Sequence, residues 1–389
     1  MKDMITKSFS EVFDLSLGRT PSRGNNLYWN GIHPWVSIAD MSNVKYISQT
    51  KEKITDKALS DTHIPIVKKG TVIMSFKLTI GKVCITDCDI YTNEAIMAFT
   101  PKPQYKILPE FLFYYLMYYK WDKSNEVVLG CTLNKKSISQ SLLSYPSSLA
   151  EQLRIIEILD AEFAKIDALR ANVTKSLQAA KDLFQSALKQ EFNTHKWELS
   201  SIGTECKTGA GGTPNKMYKE YYENGNIPWL RSGEVCTRNI YATEKFITQA
   251  GMENSSAKWF PSNTVVVAMY GATAGQVGIL RIPSTTNQAI CGIFPNEKYL
   301  PDFLYYVLLS QKDTLVAQAT GNAQANISQI KIKNITIPII SLAEQTRIVS
   351  RLDQLNERCK TLQENYDRTI TLCEDLKQAL LRKAFNGEL

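Results

Sequence analysis

The chain has 389 residues, 44% of them hydrophobic and 21% charged, which excludes global disorder and leaves room for two or more domains. Lys and Arg exceed Asp and Glu by 45 to 38, and the resulting net +7 favours an acidic partner only mildly. Eight scattered cysteines fit a reduced compartment and no disulfide framework, and the longest apolar stretch, 111–119, is too short to span a bilayer.

The start, Met1-Lys2-Asp3-Met4, lacks the charged and then apolar run of a secretory signal, so a cytoplasmic protein with no membrane contact is expected. From 1 to 147, strand-like runs and turns accompany one helix, an α+β pattern. Gly18-Arg19-Thr20-Pro21 opens a polar stretch carrying Ser22, Arg23, Asn25, Asn26 and Tyr28, and Pro34-Trp35-Val36 follows. The β-branched run 71–76 reads as a strand and Pro109 opens a helix over 109–119. Residues 148–195 contain neither Gly nor Pro. Their apolar positions Leu153, Ile156, Leu159, Phe163, Ile166, Leu169, Val173, Leu177, Ala180, Phe184 and Ala187 recur at about the 3.5-residue spacing of a coiled coil.

Residues 196–340 then restate the first domain and 341–389 the helix, at an offset of 192 to 194 residues. Gly211-Gly212-Thr213-Pro214 answers the first turn, and Pro228-Trp229-Leu230 answers Pro34-Trp35-Val36. Asn93-Glu94-Ala95-Ile96 returns as Asn287-Gln288-Ala289-Ile290, and Leu108-Pro109-Glu110-Phe111-Leu112 as Leu300-Pro301-Asp302-Phe303-Leu304. Leu149-Ala150-Glu151-Gln152-x-Arg154-Ile155 returns as Leu342-Ala343-Glu344-Gln345-x-Arg347-Ile348, and Phe192-Asn193 as Phe385-Asn386. Six collinear matches establish a tandem duplication. The second helix carries its own stripe, Leu342, Val349, Leu352, Leu355, Cys359, Leu362, Tyr366, Ile370, Cys373, Leu376 and Leu380. Ser148-x-x-Glu151 and Ser341-x-x-Glu344 predict capping boxes, the Ser hydroxyl accepting from the Glu amide while the Glu reaches back. Two helices of about 40 residues, about 60 Å long at ~1.5 Å per residue, each with one apolar seam, are expected to pair with each other, antiparallel.

The residues exclude several chemistries. No Asn/Asp-Pro-Pro-aromatic motif holds a flipped base, and Gly271-Ala272-Thr273-Ala274-Gly275-Gln276-Val277-Gly278 has neither dinucleotide spacing nor a P-loop ending. That segment, like Lys77-Leu78-Thr79-Ile80-Gly81, is a strand-connecting turn or a loop that touches DNA. Cys84 and Cys88 have no second pair, and His33, His63 and His195 stand apart, so no metal site is expected. No catalytic centre is expected either. What remains is binding chemistry. Arg and Lys neutralise phosphates or read guanine, and Asn and Gln pair with adenine. The candidates are Arg19, Arg23, Asn25, Asn26, Lys77 and Thr79 in the first copy. In the second they are Thr213, Asn215, Lys216, Arg231, Tyr270, Thr273, Asn322 and Gln324. Trp35 and Trp229, each after Pro, read as packing anchors and not stacking platforms.

In the order of these motifs, taken twice and ending at Ala384-Phe385-Asn386-Gly387-Glu388-Leu389, the chain resembles the specificity subunit of type I restriction-modification systems. The resemblance implies two target-recognition domains, each reading one half of a bipartite double-stranded DNA site, separated by two long helices in a pseudo-two-fold, antiparallel coiled coil. It also implies two methyltransferase subunits as partners, endonuclease subunits where present, and S-adenosylmethionine bound by the partner methyltransferase and not by this chain. Glu94 stands where the second copy has Gln288, and Cys131-Thr132-Leu133 where it has Asn322-Ala323-Gln324, so the two domains are expected to read different bases. Two competing classes are a free-standing two-domain DNA-binding regulator and a coiled-coil scaffold whose domains bind no DNA; the second predicts no salt-dependent DNA binding.

Overall fold

The computed structural model describes residues 4–42, 44–121, 133–317 and 326–389. They form two units, Met1–Val173 with Arg368–Leu389, and Thr174–Asp367. The fold is α+β. In the first unit a five-stranded sheet runs in the order Phe13–Leu17, Ile96–Pro101, Val72–Ser75, Val83–Thr86 and Tyr46–Ile47, antiparallel except at the last pair. The run 71–76 is thus the central strand. Val72–Ser75 is buried at every residue, which explains its continuous apolar character. A second sheet joins Glu52–Ile54, Trp29–Val36 and Tyr91–Thr92, and Met4–Ser8 pairs with Leu142–Pro146. The second unit repeats this plan. Its five strands run Thr208–Ala210, Ile290–Ile293, Val265–Ala268, Val277–Leu280 and Asn239–Ile240. Its second sheet, Phe246–Ile247, Ile227–Leu230, Ser284–Thr286 and Trp259–Phe260, has one strand more. The Gly-rich segment connects two neighbouring strands, with Gly271 and Gly275 at positive φ. The domain helices, Pro109–Tyr118 and Pro301–Ser310, start at their prolines.

The long helices run Leu149–Thr194 and Leu342–Asn386. In the first unit, Arg170 pairs with Glu374 at 2.6 Å, Lys377 with Asp167, and Arg154 Nη2 donates to the Leu389 carbonyl at 2.9 Å. Numbers rise on one helix as they fall on the other, so the packing is antiparallel. In the second unit, Glu191 pairs with Arg351. The Phe-Asn repeat also acquires a role. Phe385 sits 5.4, 5.2 and 5.1 Å from the rings of Phe111, Tyr115 and Tyr118, and Phe192 lies 5.8 Å from Phe303. Each helix therefore ends as an aromatic plug in the core beneath a domain helix.

Of the residues expected in the seam, Ile156, Leu159, Phe163, Ile166 and Leu352 are buried, and Leu355 and Tyr366 are half-buried. Leu153, Leu362 and Leu376 are instead 49%, 40% and 49% exposed, and the stripe positions Leu169 and Leu342 are 48% and 45% exposed. Gln152 and Ile155 take the place expected of Leu153, and through the middle of the helices the stripe narrows to one residue in seven, at the buried Ile166, Val173 and Ala180 and at the buried Cys359, half-buried Tyr366 and buried Cys373. Apolarity alone misassigned these positions, because the buried Gln is fully satisfied. Gln152 Nε2 donates to the carbonyls of Lys106 and Pro146 at 3.0 and 3.1 Å, and its Oε1 accepts from Leu108 N at 2.9 Å. Gln345 makes the same three bonds, to Lys298, Ile340 and Leu300. Each Gln thus staples the start of a long helix to the N-terminus of the adjacent domain helix, satisfying an orphan N–H there.

The capping boxes are also corrected. Ser341 Oγ accepts from Glu344 N at 3.2 Å, but the carboxylates do not reach back. Glu151 and Glu344 instead take bidentate bonds from Arg154 and Arg347 three residues on, the stronger geometry for a carboxylate.

A second anchor joins each domain helix to its long helix. In the second unit, Arg238 pairs with Asp302 at 2.6 Å and with Asp353, Tyr306 donates to Asp353, and Arg281 holds Asp302 through two bonds of 2.7 and 3.0 Å. In the first unit, Lys45 and Tyr114 both donate to Asp160. No helix among the described residues is long and apolar enough to cross a membrane.

Candidate nucleic-acid interface

Each polar turn is built on a glycine and a tryptophan. A side chain at Gly18 would overlap the Thr92 carbonyl oxygen, and one at Gly211 the Thr286 carbonyl oxygen, so only glycine lets the turn lie against that strand. The Trp35 and Trp229 indoles are buried, and each donates to the turn, to the carbonyls of Arg19 and Gly212 at 3.0 Å. They are packing anchors, as expected. The following Thr is thereby held beside the Asn93-Glu94 or Asn287-Gln288 pair: the Thr20 hydroxyl donates to Glu94, and Thr213 bonds Gln288. That hydroxyl is the leading cause holding the Glu94 carboxyl below the usual range, helped by Lys77 and Arg23, so Glu94 is ionised at neutral pH.

In the second domain, Thr213, Lys216 and Arg231 line one open cleft of about 680 Å³, together with Trp229, Lys245 and Gln288. Arg231 is engaged there, bonding Glu234 at 3.0 Å and pairing with Glu244. Asn215 lies beside it but caps its own turn, accepting from Met217 N at 3.0 Å. Tyr270 and Thr273 belong to the separate turn at 270–275; Tyr270 is partly exposed and bridges to Asn326. Asn322 and Gln324 lie outside the described residues.

In the first domain, Arg23 stacks 4.1 Å from the Trp29 ring and 5.1 Å from Trp35, and pairs with Glu52. Arg19 Nη1 donates to the Thr62 carbonyl at 3.0 Å, Asn25 caps Leu27 N, and Asn26 is exposed. Lys77 is exposed 5.5 Å above the Phe76 ring, and the Thr79 carbonyl accepts from Ser75 Oγ. Sequence reasoning missed Lys245 and Glu52. Their signal is the register: Trp35 pairs with Glu52, and Trp229 N bonds the Lys245 carbonyl, so the two occupy one repeated position.

The arrangement presents exposed cations, amides and hydroxyls on rigid turns, the donor and acceptor set that phosphate and base edges require. Among the described residues, no three His, Cys, Asp or Glu side chains converge to hold a metal.

The family described as the type I restriction modification DNA specificity domain matches residues 1–179 and again 194–372. The chain is 30% identical over 232 residues to a type I restriction enzyme specificity subunit of Escherichia coli, an alignment taking in 58% of this chain and 56% of that protein. It is 24% identical to one of Methanocaldococcus jannaschii over 100% of this chain and 94% of the relative. In fold it is similar to a chain from a structure of the type I restriction-modification system in a study of complex assembly and conformational transition, at TM-score 0.77 and 18% identity, covering 100% and 99%. The crystal structure of the HsdS subunit from Thermoanaerobacter tengcongensis is similar at TM-score 0.57 and 19% identity, covering 100% and 98%.

Proposed function

Because this chain belongs to the type I restriction-modification DNA specificity family, we propose that each of its two globular domains reads one half of a bipartite double-stranded DNA target. The observation that carries this is the double match, one per sequence repeat, on two domains of the same topology. Base readers on separate domains act independently, while the long helices set the gap between the sites they read.

The chain itself is non-catalytic on this reading. It directs methylation by partner methyltransferase subunits, which bind S-adenosylmethionine, and directs cleavage where endonuclease subunits join, in the cytoplasm. Two methyltransferase copies are favoured by a duplicated set of exposed leucines on the long helices. Leu149, Leu169 and Leu183 on the first helix correspond to Leu342, Leu362 and Leu376 on the second, and all six are exposed. Each unit carries three of them, one of each kind, so a partner that fits one unit finds the same apolar points on the other.

The test is a graft. Residues 197–338 from another family member replace those of this chain, and methylated positions are mapped on genomic DNA. One half-site should change while the other half-site and the gap stay the same. A graft that alters both half-sites together overturns the independent-reader mechanism.

A further inference from the structure

The duplication supplies a control: positions equivalent by register can be compared for charge. Arg23 corresponds to Lys216, Glu52 to Lys245, and Glu94 to Gln288, each pair set around an equivalent Trp, Trp35 or Trp229. In the first domain these positions hold one cation and two carboxylates. Arg23 is paired with Glu52 and stacked on two indoles, and Glu94 is ionised. In the second they hold two cations and no carboxylate. Lys216 and Lys245 are exposed on one cleft, and among the described residues neither has an ion-pair partner. Of the other charges beside that cleft, Arg231 is paired with both Glu234 and Glu244, and Glu223 is the remaining carboxylate of the lining. In the first domain the exposed Lys77 acts on Glu94 and partly offsets it.

We propose that the phosphate grip is divided unequally between the two recognition surfaces: the second domain holds the DNA backbone through Lys216 and Lys245, whereas the Arg23–Glu52–Glu94 surface of the first touches no phosphate. The physical ground is counterion release. A lysine free of carboxylates releases a condensed cation when it meets a phosphate, while an arginine already neutralised by glutamate gains little, and a neighbouring ionised Glu94 repels the backbone. The inference rests on the DNA-binding reading above and locates its electrostatic share.

The experiment uses the full chain and a long random-sequence duplex, since the electrostatic contribution is independent of sequence. Affinity is followed by fluorescence anisotropy across a salt series, giving the slope of log K against log salt. Lys216→Gln with Lys245→Gln should shallow the slope by nearly two, at about 0.9 per phosphate contact. Arg23→Gln should leave it unchanged, and Glu52→Gln, which frees Arg23, should steepen it. All the substituted side chains are exposed, and thermal melting confirms that each variant folds. Equal loss of slope for Arg23→Gln and the lysine pair, or no loss for the lysine pair while the wild type binds with a steep slope, overturns the unequal grip and leaves the DNA reading standing. A wild type that binds duplex with no salt dependence overturns both.

Discussion

The two units were built from one duplicated plan, and the joint between domain helix and long helix shows what the plan retains and what it lets drift. A Tyr–Asp pair persists in both, Tyr114 with Asp160 and Tyr306 with Asp353, each met by a cation, Lys45 or Arg238. Around it the charge has diverged. Arg281 in the second unit clamps Asp302, but the equivalent position in the first is Asp87, which pairs away with Lys69 at 2.9 Å. A hydrogen-bonded geometry has survived duplication here while the surrounding ionic network has not. The second joint should therefore be the more rigid, and the more dependent on charge.

The largest expected effect concerns the cores beneath these joints. Leu159 and Leu352 are buried, each in the core of its own unit. Asp at either position buries an unpaired charge, at a cost of about 3–5 kcal/mol. Hydrogen exchange should show Leu159→Asp deprotecting strands 72–75 and 96–101, and Leu352→Asp deprotecting 265–268 and 290–293. Deprotection of both units to the same extent by either variant would mean that they do not fold as separate cores.

The next effect bears directly on the joints. Arg238→Met leaves Asp302 to Arg281 alone and Asp353 to Tyr306 alone in a half-buried network and should cost about 2–3 kcal/mol, whereas Lys45→Met removes a single partner of a half-exposed Asp160 and should cost about 1 kcal/mol or less. Denaturant titration measures both. Equal losses would erase the contrast between the joints.

A pH series sharpens the same contrast. Burial alone would raise the Asp302 pKa, but hydrogen bonds from Arg281 and Arg238 outweigh it and hold the carboxyl below its usual 3.8. A group lowered in the folded state stabilises fully above its usual value, and that stability is lost as the pH falls through the folded value. The melting-temperature gap between wild type and Asp302→Asn should thus be widest near neutral pH and close in acid, where protonated Asp302 resembles Asn. A gap that stays constant into acid would show that the ionic clamp contributes nothing.

How much of this the sequence disclosed depended on the kind of signal. The duplication, the long helices and the proline-started domain helices were legible because repeats, breakers and periodicity are local properties. The seam was only partly so. Gln152 and Gln345 are polar yet wholly buried, since three hydrogen bonds each satisfy them, and hydropathy cannot see a satisfied amide. The cleft was visible as a polar turn with Thr213, Lys216 and Arg231, but Lys245 reaches it, and Glu52 reaches Arg23 in the first domain, through strand pairing some thirty residues away in sequence, which composition does not encode. Arg19, Asn25 and Asn215 carried the side chains a base reader needs, yet in the structure they are bonded to backbone groups of their own domain.

The smallest effect tests the reading side chains themselves. Thr20 and Thr213 hold Glu94 and Gln288 by the same hydroxyl, but only one of the held groups ionises. Val at either position removes a hydroxyl from an exposed turn and should shift stability by less than about 1 kcal/mol. The titrations should differ. Because the Thr20 hydroxyl is the leading cause of the lowered Glu94 pKa, Thr20→Val should move the Glu94 carboxyl up toward its usual 4.5, readable from its NMR chemical shift against pH. Thr213→Val should introduce no new titration in its domain, since an amide does not ionise in the accessible pH range. If Glu94 titrates unchanged in Thr20→Val, the carboxylate is held by its own backbone N–H and by Lys77 and Arg23 instead, and the first surface is not governed by the shared hydroxyl.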